Sequence, residues 1–331
     1  MSAKKNSELE SKLAEMNKDS EDGSVVSRFA DINSDVQVIP TGILSLDTAL
    51  GCGGIPRKRI TEFYGPNSSG KTTSLLCAIA NVQAEGGEAL FIDAEQRFDP
   101  KWAAANGVDT DKLIFSQPSC GEDALQKVEK LLEHVDIAVV DSVAALVPRA
   151  EIEGEIGDQF MGLQARLMGQ ALRKLSGVVS RSNAALIFTN QMREKIGVVF
   201  GNPETTPGGK ALSYWASVRA DLRKISSIKE GDKVVGARTR VKIIKNSCAP
   251  PFAEAEFDFY YGVCSCHAKG PDRFGDMVDV AEAKHIIQKS GSWYSFNGEQ
   301  IGQGRVNAAA FLQQNPQAQS AILAALKESA V

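Results

Sequence analysis

Eight residues constrain this chain more than any others. Gly65-Pro66-Asn67-Ser68-Ser69-Gly70-Lys71-Thr72 has the form G-x-x-x-x-G-K-[ST], directly after a β-rich apolar run (59–64) and directly before a helical period (72–84). A glycine-rich turn from strand into helix lets backbone N–H groups face inward around phosphate oxygens, and the helix N-terminus adds its positive end. On that reading Lys71 reaches the β- and γ-phosphates of a nucleotide and the Thr72 hydroxyl ligates Mg²⁺. A chance glycine-rich turn is the alternative, and the agreement of motif with context argues against it.

The surrounding pattern is of the same kind. Residues 59–64, 89–93, 137–141 and 184–190 are near-continuous apolar runs, as expected of strands buried on both faces of a parallel sheet, and helical periodicity lies between them at 72–84 and 164–178. This predicts an α/β fold with a mostly parallel central sheet and functional groups at the carboxyl ends of its strands. β-rich stretches at 239–244 and 255–261 extend the sheet. Asp141 ends one buried run, where a carboxylate holds Mg²⁺ directly or through water. Glu95 follows another, Phe91-Ile92-Asp93-Ala94, and there can orient or deprotonate an attacking water; a helix cap or surface acid is the plainer alternative.

Composition narrows the partners. The 331 residues are 43% hydrophobic and 24% charged, enough for one large domain and a small one without staples. A net charge of −4 excludes bulk attraction to nucleic acid, so any DNA contact comes from a local patch. No run approaches the ~18 apolar residues of a membrane span. The N-terminus lacks a signal-peptide core and the six cysteines are scattered, so a reduced cytoplasmic setting without a membrane partner is expected. Near the start, Ser7-Glu8-Leu9-Glu10 has the form of a capping box, with Leu9, Leu13 and Met16 on one helical face that needs a partner surface; residues 17–24 read as a solvated linker. The chain divides into 1–33 (helix and linker), 34–270 (main domain) and 271–331 (a small mixed α/β domain ending in a helix at 320–327). Residues 193–209 form a long Gly/Pro-rich loop that holds Ile196, Val198, Val199 and Phe200 beside Arg193 and Lys195. Such a mixture suits insertion between bases plus phosphate contact, a buried hairpin being the alternative. A second loop, 154–161, carries Ile156, Phe160 and Met161. Cys264-Ser265-Cys266-His267 lacks the usual metal-ligand spacing and reads as incidental, and His134 and His285 as packed or solvated.

With these residues in hand, the chain resembles the bacterial RecA recombinase family. The strings that carry the resemblance are residues 65–73, Phe91-Ile92-Asp93-Ala94-Glu95, Val139-Val140-Asp141-Ser142-Val143-Ala144-Ala145-Leu146, residues 150–158, Asn190-Gln191 and Phe200-Gly201-Asn202-Pro203-Glu204-Thr205-Thr206. It runs from about residue 36 to the C-terminus, and several strings are diagnostic of the family rather than of P-loop proteins in general. The resemblance implies a RecA-type ATPase core, an N-terminal helix that docks on the neighbouring subunit, and a small C-terminal domain. It implies Glu95 as catalytic glutamate beside Lys71, and Gln191 as the γ-phosphate sensor that relays to DNA. It implies ATP held by Gly65, Pro66, Asn67, Ser68, Ser69, Gly70, Lys71, Thr72, Thr73 and Asp141, with Mg²⁺ on Thr72 and Asp141. Asp99 and Trp102 match the adenine site, with Tyr261 and Gly262 near its far side. The DNA-binding loops match 154–161 and 192–206, with Gly154, Ile156, Phe160, Met161, Ile196 and Phe200 in them and Arg166, Arg173, Arg193, Gly208 and Gly209 as backbone contacts.

The activity so implied is that of an ATP-dependent recombinase, a DNA-dependent ATPase. It forms a helical homo-oligomeric filament on single-stranded DNA and engages double-stranded DNA during strand exchange. A helicase-like RecA-fold motor and a DNA-binding filament with little hydrolysis are the alternatives. Departures are also present. Ser213 and Ser247 stand where the family has lysines directed at the neighbour's γ-phosphate, leaving Lys245 of that set. Extra residues occur near 263–272, and the chain stops at Val331 without the family's acidic tail. They suggest a divergent member, of the kind a phage or plasmid carries.

Overall fold

The computed structural model describes residues 2–18, 26, 28, 35–194, 204–262 and 269–328. The chain forms two units, 1–36 and 37–331. In the first, helix α1 (Ser2–Lys18) leaves Leu9 and Met16 exposed, and the Asn17 side chain exchanges hydrogen bonds with the backbone of Val26. The capping box at Ser7 is a correction. The helix begins five residues earlier, so Ser7 lies inside it; Ala3, Lys4, Lys5 and Asn6 contain nothing that stops a helix, and the box motif alone does not place a terminus.

The second unit opens with β1 (Val38–Ile39), α2 (Leu44–Ala49) and β2 (Ile55–Pro56), then β3 (Ile60–Gly65), α3 (Lys71–Ala84), β4 (Ala89–Asp93), α4 (Pro100–Ala105), β5 (Ile114–Ser116) and α5 (Gly121–Leu131). There follow β6 (Ile137–Asp141), α6 (Arg149–Glu153), α7 (Leu163–Arg181), β7 (Ala185–Gln191), β8 (Arg193–Glu194), β9 (Glu204–Thr205), α8 (Ala211–Trp215), β10 (Val218–Glu230), β11 (Lys233–Asn246), β12 (Glu254–Tyr260) and β13 (Gly270–Pro271). One sheet has the order β13-β12-β11-β10-β3-β7-β6-β4-β5. Its run from β10 to β5 is parallel, while β10 to β13 pair antiparallel.

Burial explains the apolar runs. Successive residues of β4 and β6 point to opposite faces and both faces are covered. Phe91 and Val139 join Phe63, Leu75, Leu76 and Ile79 in the core under α3, while Leu90, Ile92 and Val140 join Leu125, Val128, Leu172 and Leu175 under α5 and α7. The predicted strand and helix bounds agree with these elements to within a residue or two for β3, β4, β6, β7, β12, α3 and the start of α7. The functional consequence is register: β3, β6, β7 and β4 end side by side, with Gly65 opposite Gln191 and Asp93 opposite Asp141.

After β13 come α9 (Arg273–Ala283), the strands β14 (Gln288–Ser290), β15 (Trp293–Phe296) and β16 (Glu299–Gln303), and the helices α10 (Arg305–Gln314) and α11 (Pro316–Glu328). They share a core of Val278, Ala281, Ile287, Tyr294, Ile301, Leu312 and Ile322, against which Leu44 of α2 packs. The expected terminal helix at 320–327 is the later part of α11. Across the same seam the Ser45 N–H donates to Asp276 Oδ2 at 2.9 Å. Residues 264–267, with the C-x-C-H string, lie outside the described residues.

Candidate functional site

The phosphate loop is built where β3 hands over to α3. Gly70 caps the helix at φ 90°, and a Cβ there would run into the Phe259 ring of β12, so glycine is required on both conformational and packing grounds. Pro66, Asn67 and Ser68 are exposed while Ser69 and Lys71 are buried, which leaves an open rim over a closed floor. Lys71 Nζ donates to the carbonyls of Gly65 (2.9 Å) and Pro66 (2.8 Å), held across the mouth of the loop. Burial pushes its pKa down, opposed by the carboxylates of Asp141 and Glu95.

Asp141 ends β6 beside the loop. Thr72 Oγ1 donates to its Oδ2 at 2.7 Å and Thr189 Oγ1 to its Oδ1 at 2.6 Å. Burial pushes the Asp141 carboxyl up, the two hydroxyls pulling against it and Glu95 adding to it. A carboxylate beside a hydroxyl oxygen is a donor set for a hard divalent cation, which takes one or two protein oxygens and keeps water on its other positions. Glu95 stands next along the strand ends. Its Oε1 receives two donors, Ser142 Oγ and Gln191 Nε2 (2.8 Å). Side chains predicted separately from sequence thus form two hydrogen-bonded clusters at neighbouring strand ends, Thr72 with Asp141 and Gln191 with Glu95.

Beyond Glu95 the chain turns into α4. Asp99 caps that helix, accepting from the N–H groups of Lys101 (2.9 Å) and Trp102 (3.2 Å). The half-buried Trp102 donates from Nε1 to Thr73 Oγ1 at 3.1 Å. A cleft of about 220 Å³ is lined by Thr72, Asp93, Glu95, Arg97, Phe98, Asp99, Trp102 and Asp141 among others. Tyr261 and Gly262 are not among its lining. They lie just past β12, Tyr261 half-exposed and two residues from Phe259, whose ring meets Gly70.

The first loop leads directly into α7, and the chain that follows the second packs against the same helix. Ile156 and Met161 are fully or nearly fully exposed, whereas Phe160 folds back on Gly154. The second loop closes at its base through the antiparallel pair Arg193↔Thr205 and Glu194↔Glu204. Its return limb brings Gly208 against Val143 and Met168, and Gly209 against Ala165, in the first turns of α7. Arg166 follows Ala165 directly, and Arg173, seven residues on, shares its helix face; both are exposed, as is Arg193, and Arg173 Nε donates to Gly169 O at 3.1 Å. Ile196 and Phe200 lie outside the described residues. Ser213 donates to Lys210 O at 2.7 Å, and Ser247 is exposed. Lys245 Nζ donates to the carbonyls of Ser213 (3.1 Å) and Tyr214 (2.8 Å), with burial pushing its pKa down.

Sequence reasoning missed several parts. Asp93 takes the N–H groups of Arg97 and Phe98 and the amide of Gln117, and so shapes the turn that carries Glu95. Glu62, fully buried in β3, meets Arg219 and accepts from Asn190 Nδ2 at 3.0 Å; Asn190 also donates to Pro207 O at 3.1 Å. Arg219 lies 4.7 Å from the Tyr64 ring centre. A glutamate inside an apolar run was the available signal, since a buried acid demands a partner.

A P-loop followed by a strand-end carboxylate on a parallel sheet defines a P-loop nucleotide-binding protein of the α/β class. Comparison with known proteins is more specific. Residues 7–265 match the RecA N-terminal domain and residues 275–330 the RecA C-terminal domain. A Protein RecA of Mycolicibacterium gilvum is 54% identical over 97% of this chain and 90% of its own length, and one of Clostridioides difficile is 54% identical over 93% and 87%. The chain belongs to the RecA family.

Proposed function

We propose that this chain is an ATP-dependent DNA recombinase: a DNA-dependent ATPase that assembles copies of itself into a helical filament on single-stranded DNA and exchanges strands with a duplex. The observation that carries the reading is Gln191. Its side-chain amide rests on Glu95 while its backbone is two residues from the pair that closes the second loop. Whatever displaces that amide moves the base of the loop. The preceding Asn190 ties the same strand end to Pro207, on the loop's return limb.

Nucleotide chemistry follows from the same groups. ATP phosphates lie along the 65–73 backbone, and the Lys71 ammonium turns from the two carbonyls it now caps to the β- and γ-oxygens. Mg²⁺, held by Thr72 and Asp141, supplies charge neutralisation when bound. Glu95 orients the attacking water, with Ser142 and Gln191 fixing the carboxylate's direction. Trp102 and Asp99 receive the adenine. DNA lies on the platform of the two loops and the exposed Arg166, Arg173 and Arg193. A local basic surface repeated along a filament answers how a chain of net charge −4 holds a polyanion. The N-terminal helix docks on the next subunit, covering its apolar stripe, and the division into 1–33, 34–270 and 271–331 is the functional one. The setting is the cytoplasm; among the described residues no helix is long and apolar enough to cross a membrane.

The test is strand exchange between a circular single strand and a homologous linear duplex. Joint molecules form with ATP and Mg²⁺ and are absent without nucleotide or with a heterologous duplex. Product that forms equally without nucleotide contradicts the reading.

A further inference from the structure

Arg97 is an exposed arginine with a fixed backbone. Its N–H donates to Asp93 Oδ1 at 3.2 Å, the next N–H, from Phe98, to Oδ2 at 3.0 Å, and Gln117 Nε2 holds the same Oδ2 at 2.9 Å. The turn bearing it is therefore anchored on a buried carboxylate. Its guanidinium pairs with no carboxylate among the described residues, unlike Arg57, Arg219, Arg223 and Arg305, each of which meets an Asp or Glu.

Its location defines what it faces. The 220 Å³ cleft is lined by Thr72, Asp141 and Glu95 together with Asp99 and Trp102. A second cleft of about 390 Å³ is lined by Glu95, Gln96, Arg97, Gln191 and Arg193 among others. Of the residues lining the two, Glu95 and Arg97 line both, and the base-end residues Asp99 and Trp102 line only the first. Arg97 thus keeps company with Glu95 at both clefts, and in the nucleotide site proposed above Glu95 marks the place of the last phosphate. A planar guanidinium presents two parallel donors to a phosphate, and an exposed side chain loses little hydration in turning toward one.

We propose that Arg97 is a phosphate-binding residue that grips the terminal phosphate of a bound nucleoside triphosphate from within the same subunit, so that the site prefers the triphosphate to the diphosphate. The inference rests on the nucleotide site proposed above. It adds to that site a cation which the P-loop motif does not contain.

Calorimetric titration of the full chain, without DNA, with ADP and with a non-hydrolysable ATP analogue tests it in the parent, Arg97→Ala and Arg97→Lys. Loss of a charge-assisted bond to the last phosphate weakens the analogue by about tenfold or more in Arg97→Ala while ADP stays within about twofold, and Arg97→Lys recovers much of the difference. Equal losses for both nucleotides, or none, overturn the proposal. So does a defect confined to single-strand DNA binding measured without nucleotide, which would make Arg97 a DNA contact. A parent chain that binds neither nucleotide overturns the site reading along with it. A parent that binds both, with Arg97→Ala indifferent, overturns the Arg97 assignment alone.

Discussion

Glu95 accepts from Ser142 and Gln191 on one carboxylate oxygen, which fixes the carboxylate's direction, and in the proposed mechanism it orients the attacking water. Glu95→Gln therefore keeps nucleotide affinity and slows hydrolysis by about 10²–10⁴-fold, read by single-turnover ATP hydrolysis beside a binding titration. A variant that hydrolyses at the parent rate contradicts the assignment. Lys71→Ala removes the buried ammonium of the phosphate loop and abolishes turnover in the same assay. Trp102→Ala loses a stacking surface worth roughly 1–3 kcal/mol, so ATP affinity falls by about an order of magnitude; unchanged affinity places adenine elsewhere. Lys71, Thr72, Glu95 and Asp141 were legible in the sequence because each sits at a strand end or in a motif with its own context. Ser142, Thr189 and the Glu62–Arg219–Asn190 cluster were not. Thr189 meets Asp141 across 48 residues of sequence, through the pairing of neighbouring strands, which no local pattern encodes.

The start of α3 is the element on which the phosphate site depends. At Gly70 an added methyl group meets Phe259 and the backbone is left-handed, so Gly70→Ala distorts the helix entry and nucleotide binding falls along with thermal stability. Calorimetry and a melting curve check both, and parent-like binding contradicts the packing argument. The loop platform makes a separable prediction. Arg193→Ala weakens single-strand binding and flattens its salt dependence, because one phosphate contact fewer releases fewer counterions, whereas Phe200→Ala weakens binding and leaves the salt slope in place. Affinities between 50 and 200 mM salt, the range over which about 10³-fold effects are seen for multi-phosphate contacts, distinguish them. Elements with unbroken apolar runs were read from sequence nearly to the residue, since burial on both faces leaves no ambiguity of period. The N-terminal helix was misplaced at its start because an exposed helix has no packing to mark where it begins. Tyr261 and Gly262, placed by resemblance near the far side of the adenine site, lie just past β12 and apart from the lining that holds Trp102 and Asp99.

At the scale of the molecule, the seam between α2 and α9 carries two buried acids. Burial raises Asp47 to about 7 and Asp276 to about 6, each from 3.8, and Asp276 Oδ1 has no hydrogen-bond partner. The unfolded chain releases these protons near pH 4 while the folded chain keeps them until pH 6–7. The native state therefore binds more protons in that window, and stability falls as pH rises through it. Asp276→Asn keeps an acceptor for the Ser45 N–H and removes the charge. Urea unfolding should show it gaining on the parent by about 2–3 kcal/mol between pH 4 and 8; a pH-independent difference contradicts the account. The parallel part of the sheet followed from the alternation of strand and helix. The strand order, with β3 between β10 and β7, did not, because it is a property of crossovers rather than of any segment. The central claim is that nucleotide state, read at Gln191 and Glu95, governs how copies of this chain assemble on DNA. Electron microscopy of the protein with single-stranded DNA tests it most directly. Continuous helical filaments with a non-hydrolysable ATP analogue, and compact or dissociated protein without nucleotide, are the predicted result; closed rings, or the same assembly in both conditions, contradict it.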